Sequence, residues 1–342
     1  MAHNIGKMFY VGERPWHGLG KHCPRPLSLD DAVAQAGLDY TVSTMPLAVD
    51  GEPGSAVPQR VAVVRDDRRP GQPGRVLGVV HPKFRLLQNR DGAELFDTLF
   101  GQGREVYQTG GYLKQGEVVW LQARLPEPIV LASHERVDTY LLFSNSHDGT
   151  YPIDIRFCAT RVVCNNTLNV ALHEKGRGLV FRRGHNHSLE RVKAEAKLFY
   201  AVVLATQKAT HAGFDALARA QCDAEAFSRF LDKLMPLPAK PVSADTRLSV
   251  SRAYDTRRMG IEDARKQIAG IYKDGYADLQ VQSGWQAPAG ESWWGALNAV
   301  TGWVDHVQGI AGDRFSHAMF GAGDDLKSKA FVLSKELAGI AG

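Results

Sequence analysis

The stretch EVYQTGGYLKQGEVVWLQARL, Glu105 to Leu125, carries the reading of the fold. Two runs rich in Val, Tyr, Leu and Trp, Glu105–Leu113 and Glu117–Leu125, flank Lys114–Gly116, whose glycine suits a tight hairpin link. The expectation is an antiparallel strand pair. The same pattern continues downstream. Val137–Asn145 reads as a third strand, Asp148-Gly149 as a turn, Tyr151–Val163 as a fourth strand and Gly178–Arg183 as a fifth. Strands joined by links this short point to an antiparallel sheet.

Upstream, Val61–Arg65 and Arg75–Val80 read as strands on either side of a charged Pro/Gly turn, Asp66–Gly74. Ser28 with Asp31 has the form of a capping box opening a helix through Ala36. Asp91 with Glu94 has the same form ahead of Ala93–Phe100, whose Leu95, Phe96 and Leu99 share a buried side. Val11–Pro26, with three glycines and three prolines, is irregular.

After Ser188 the spacing turns helical, with Val192, Ala196, Phe199 and Val203 in one row. Helices are expected over Leu189–Ala209, Leu217–Met235, Ser251–Tyr272, Trp293–Val307 and Lys327–Leu337. Pro236–Pro241 holds three prolines and is the natural linker. The chain therefore divides into an α+β domain over 1–235, a Pro-rich linker over 236–248 and a helical region over 249–342.

With 342 residues, 44% hydrophobic and 23% charged, the composition is that of a globular protein with a real core. Four scattered cysteines are too few for a disulfide framework. No apolar run approaches the roughly 20 residues of a membrane span, and Met1–Tyr10 lacks a signal-peptide pattern. A cytoplasmic protein is the expectation.

Charge is unevenly spread. Tyr151–Tyr200 carries nine Lys and Arg against four Asp and Glu, a local +5 against +4 for the whole chain. On the fourth strand Asp154, Arg156, Cys158 and Thr160 point one way and Ile155, Phe157 and Ala159 the other; Arg161 breaks the alternation and suggests a bulge near Thr160. Arginine offers a bidentate fork to phosphate, and each neutralised phosphate releases counterions. The candidate nucleic-acid contacts are Arg156, Arg161, Lys175, Arg177, Arg182 and Arg183, with Asn165 and Asn166 positioning the strand. Tyr112, Tyr151, Phe157 and Phe181 are aromatic neighbours able to stack on bases, although Phe157 and Phe181 fit a packed core better.

Other chemistries are less well served. Cys158, Cys164, His185 and His187 do not have the spacing of a zinc knuckle or ribbon. Ser146-His147-Asp148 is a run of neighbours in a turn, which cannot form the serial geometry of a catalytic triad; Trp16-His17 adds no nucleophile. Asp30-Asp31 and Asp324-Asp325 sit at expected helix starts, where acids favour the dipole, and do not form a two-metal carboxylate cluster. There is no P-loop. No cofactor, metal or catalytic residue is expected, and the chain does not read as an enzyme. Trp294, Leu297, Asn298, Thr301 and Asp305 fall on one helical face, suiting either a specific contact or internal packing around a buried hydrogen bond.

Several stretches together resemble the phage- and plasmid-related family of proteins that carry a domain of unknown function. They are Gly18-Leu19-Gly20 after Trp16-His17, the turn Ser144–Gly149, the run Arg161–Leu168, and Trp294–Thr301 with Asp305-His306. The resemblance spans about Trp16 to Lys329, with a departure at Gly302-Trp303, where relatives carry an acidic residue before the aromatic. It implies a mobile element in a bacterial host. The element order and charge are also similar to single-strand annealing proteins of the Red beta and Rad type. That likeness implies a curved antiparallel sheet backed by a long helix, a mainly helical C-terminal region, homo-oligomeric rings or filaments, and single-stranded DNA in a basic groove, annealed without ATP. The other reading is a non-enzymatic interaction protein that binds a host factor, for example to blunt a defence system, through the Trp-rich helix or the irregular N-terminus.

Overall fold

A computed structural model of the chain describes residues 5–12, 19–50, 55–67, 75–101, 103–131, 136–161, 167–169, 179–240, 248–274, 291–309, 317 and 321–340. The chain forms two compact units that interleave along the sequence. The first comprises Met1–Glu127, Thr139–Cys158 and Leu179–Thr206, and the second Pro128–Asp138, Ala159–Gly178 and Gln207–Gly342.

The first unit is built on an open sheet. Its strands are β1 (Ile5–Val11), β2 (Lys21–Cys23), β6 (Tyr107–Leu113), β7 (Val118–Arg124), β9 (Arg136–Ser146), β10 (Ile153–Arg161) and β12 (Val180–Arg183). They lie in the order β10-β9-β7-β6-β1-β2, with β12 also paired to β10. The hairpin β6–β7 forms as the sequence implies, with Leu113 opposite Val118 and Gly111 opposite Trp120. Gly116 takes φ +117 in the link, a conformation that L side chains resist. Gly111 has a different duty: a Cβ there would stand 2.3 Å from Lys7 O and 2.7 Å from Met8 Cβ, so only glycine lets β1 and the Trp120 ring approach. The sheet is mainly antiparallel, but β1 and β2 pair in parallel, a departure from the all-antiparallel expectation.

A second, three-stranded antiparallel sheet pairs β3 (Val42–Ala48), β4 (Ala56–Arg65) and β5 (Arg75–Val80). Two helices complete the core. In α1 (Leu29–Ala36) Ser28 is the N-cap and accepts from Asp31 N, as the capping-box pattern implies. α2 runs over Asn89–Phe100, four residues ahead of the expected start, and its N-cap Gln88 makes no side-chain capping bond. Asp91 lies inside the first turn, where it suits the dipole instead. Phe96 is fully buried on the sheet, 5.7 Å from the Phe143 ring and 6.1 Å from Tyr107. Burial of such a side chain contributes about 1.5–3 kcal/mol. α3 (Leu189–Arg219) begins in this unit, with Phe199 6.0 Å from Phe181 of β12 and Tyr200 5.6 Å from Phe100.

The second unit is mainly helical. It holds the end of α3, then α4 (Ala224–Leu234), α5 (Leu248–Asp274), α6 (Trp293–Gly302) with a π-helical turn Trp303–Val307, and α7 (Ala322–Leu337). Helix over Leu217–Met235 was the expectation; instead α3 stops at Arg219, the strand β13 (Gln221–Cys222) intervenes, and Asp223 caps a new helix by accepting from Ala226 N. β13 pairs with β14 (Glu291–Ser292). Two short strands also belong here: β8 (Ile129–Val130), on the first residues of β9, and β11 (Thr167–Asn169), on β10. Phe214 packs between Trp294 (4.8 Å) and Phe331 (5.6 Å). The face of α6 carrying Trp294, Leu297, Asn298 and Thr301 is buried, as is Asp305 in the turn that follows. Asn298 Nδ2 donates to Trp294 O at 2.8 Å, and Asp305 accepts from the wholly buried Lys327 Nζ at 2.8 Å.

Candidate nucleic-acid interface

The arginines of β10, β12 and α3 are organised by two carboxylates. Strand pairing sets Asp154 opposite Arg182, so both side chains lie on one face of the sheet, together with Arg156 two residues on. Asp154 Oδ1 accepts from Arg156 Nε at 2.5 Å and Oδ2 from Arg182 Nε at 2.7 Å. Asp154 and Arg156 are buried, whereas the Arg182 side chain is 57% exposed. Nearly two helical turns into α3, Glu195 repeats the arrangement. It accepts from Arg191 Nε at 2.9 Å, an i,i+4 pair, and from Arg183 Nε. These two guanidinium groups hold the Glu195 carboxyl below its ordinary range, Arg191 contributing most. Arg183 also donates to Arg182 O and lies over the Phe181 ring at 4.7 Å.

Four arginines thus share two carboxylates, leaving a formal +2 on these six side chains. Arg182 and Arg191 are exposed, and Arg183 sits at the boundary. Each carboxylate accepts from the Nε–H of two guanidinium groups; Arg183 spends a further donor on Arg182 O, and Arg182 and Arg191 are the exposed members.

Of the expected contacts, Arg182 and Arg183 are consecutive on β12, so their side chains leave opposite faces of the sheet, Arg182 beside Asp154 and Arg183 beside Phe181. Arg156 is on the same sheet face as Arg182 but buried against Asp154. Arg161 closes β10. Asn165, Asn166, Lys175 and Arg177 lie outside the described residues, as does Cys164. Phe157 and Phe181 are core residues, and the Cys158 thiol is buried and donates to Arg156 O. Sequence reasoning missed the organising role of Asp154 and Glu195. The i,i+4 spacing of Arg191 and Glu195 was a visible signal for one of them.

The turn Ser144–Gly149 builds a different kind of site. Ser146 Oγ accepts from Tyr151 N at 2.9 Å and donates to Tyr151 O at 2.7 Å, closing the loop. Asp148 accepts from Thr150 N and Oγ1. The His147 ring turns inward, where Nε2 meets Asn89 Oδ1 at 2.9 Å. Asn89 Nδ2 donates to Tyr40 O, which fixes the amide orientation and so places the His147 proton on Nε2. Burial, with His185 nearby, pushes the His147 pKa down to about 4. The three side chains of Ser146, His147 and Asp148 diverge to separate partners and form no triad. His185 stacks on Phe84 at 4.1 Å and uses Nδ1 on Arg85 O. Among the described residues no group of three or more His, Cys, Asp or Glu could hold a metal ion. Nor is any described helix long and apolar enough to cross a membrane.

The model of the domain of unknown function DUF932 matches residues 76–326. The chain belongs to the DUF932 family. The matched span starts within β5 and runs into α7, so it takes in the hairpin, the shared-carboxylate arginines, the Ser144–Gly149 turn and the buried face of α6. The DUF932 description carries no chemistry of its own, so function rests on the site geometry. Comparison with curated proteins and with solved structures gave no match.

Proposed function

We propose that the protein binds single-stranded nucleic acid across β12 and the first turns of α3, as part of a phage or plasmid. In this reading Arg182, Arg183 and Arg191 contact phosphates, and Arg161, Asn165, Asn166, Lys175 and Arg177 extend the track. Protomers assemble into rings or filaments, the sheet curves over a long helix as in annealing proteins, and complementary strands anneal without ATP. The observation that carries the reading is the sharing of Asp154 and Glu195 between paired arginines, which holds three guanidinium groups at the surface in fixed orientations. Sequence-independent binding of this kind is dominated by phosphate contacts and falls with salt. Three such contacts weaken affinity roughly twentyfold between about 50 and 200 mM salt. The test is fluorescence anisotropy of a labelled single-stranded oligonucleotide at low salt, with the full chain and an Arg182→Ala/Arg183→Ala variant. Saturable, salt-sensitive binding that the variant loses supports the proposal. Undetectable binding, or affinity unchanged in the variant, overturns it.

The alternative of a host-factor binding protein does not find its contact in the Trp-rich helix as expected, since Trp293, Trp294 and Trp303 are all buried. A surface better suited to a protein partner lies elsewhere in the second unit.

A further inference from the structure

Between α4 and α5 the second unit leaves an open groove of about 1030 Å³. Its walls are two helix faces at regular helical spacing. From α4 come Ala224, Phe227, Ser228, Leu231 and Asp232, and from α5 Arg265, Lys266, Ala269, Tyr272 and Lys273. The floor is aromatic and apolar: the Phe227 and Tyr272 rings stack at 3.9 Å and 11°, beside Leu231. Ala224, Ser228 and Ala269 are small, and keep the space above that floor open. The closed end is β13–β14, where Tyr272 Oη donates to Cys222 O and accepts from Glu291 N. At the other end Arg265 ties the walls together through Asp232 Oδ1 (2.6 Å) and Met235 O (2.7 Å).

We infer that this groove receives an acidic amphipathic helix of a partner protein. The groove extends about 12 Å along α4, or two helical turns, and its volume stands at the upper end of what a small-molecule site takes. Two helical walls over an apolar floor match the helix-in-groove mode, in which the guest supplies anchors at i, i+3 or i+4 and i+7. Charge selects the guest. Asp232 is neutralised by Arg265, whereas Lys266 and Lys273 on the α5 rim have no carboxylate partner among the described residues. They stand seven residues apart, about 10 Å along the axis, so carboxylates two turns apart on the guest face both at once. At the closed end Asp223 and Glu291 suit the positive N-terminus of the incoming helix and set its direction. The arginine cluster belongs to the first unit and the groove to the second, so the inference rests on different residues from those of nucleic-acid binding.

The test is selection of phage-displayed helical peptides of about 16 residues, four turns, on the full chain. Binding of the enriched peptides is then measured on Lys266→Glu/Lys273→Glu and Ala269→Trp variants, after circular dichroism has shown that each is folded. Enrichment of acidic peptides with apolar i, i+3/i+4, i+7 spacing is expected. Charge reversal should weaken them at least about tenfold, and the tryptophan should block the groove. No enrichment, a basic or neutral consensus, or binding that neither variant changes overturns the inference. So does a dimer of the full chain, seen by analytical ultracentrifugation, that either variant dissociates, because a second copy would then be the occupant.

Discussion

Lys327 of α7, with no exposed side-chain surface, places Nζ 2.8 Å from Oδ1 of Asp305, which lies in the π-helical turn after α6. Removing one partner of a buried pair strands the other charge. Lys327→Met should cost about 3–5 kcal/mol in urea unfolding, and adding Asp305→Leu to it should recover a large part. Equal destabilisation of the single and double variants would show that the pair is not coupled.

The buried His147 makes stability depend on pH. Its folded pKa of about 4 is below the usual 6.5, so the unfolded chain binds a proton that the folded chain excludes. The contribution is complete above about pH 6.5 and is lost as pH falls toward 4, about 3 kcal/mol in all. His147→Leu should flatten unfolding free energy against pH in this window. It should also cost about 1–3 kcal/mol at pH 8, because Asn89 Oδ1 loses its donor.

Asp154 and Glu195 look alike on paper but should behave differently. Asp154→Ala removes the carboxylate that accepts from the buried Arg156 Nε and should destabilise by about 3–5 kcal/mol. Glu195→Gln frees two arginines near the surface. Thermal melting should barely move, while oligonucleotide affinity should fall roughly two- to fivefold, because the carboxylate no longer holds Arg183 and Arg191 in place. Tighter binding in Glu195→Gln would mean that the carboxylate competes with phosphate more than it orients the arginines.

The two apparent capping boxes can be separated in the same way. Ser28→Ala removes the side-chain acceptor for Asp31 N and should cost about 1 kcal/mol. Asp91→Ala removes no cap and should cost less by chemical denaturation.

That contrast shows where the sequence was legible. Lys114–Gly116 and Arg75–Val80 were readable because a turn or a strand period is written in neighbouring residues, and both stand where expected. α2 was misplaced because Asp91 and Glu94 imitate a cap while the chain had already turned helical at Asn89. The break after Arg219 was missed because apolar spacing runs on past it, although Asp223 three residues before Ala226 was a start signal. Arg156 reads as a phosphate contact from its charge and its place on the polar side of the strand alone. Burial of both faces of β10, with Asp154 as partner, is a tertiary outcome that alternation cannot express. The Asn89–His147 contact joins residues 58 apart and leaves no local trace. The α4–α5 groove, too, exists only once the two helices are placed together.

The ends of the first unit's sheet have a bearing on how copies of this chain meet. One end is β2, three residues with Lys21 and His22 exposed; at the other, β10 is flanked by two short strands, β11 of three residues and β12 of four, the latter carrying Arg182 and Arg183. Short, cationic margins of this sort are poor templates for strand addition from another molecule. At these two margins the first unit's sheet is therefore guarded against edge-to-edge pairing with another molecule.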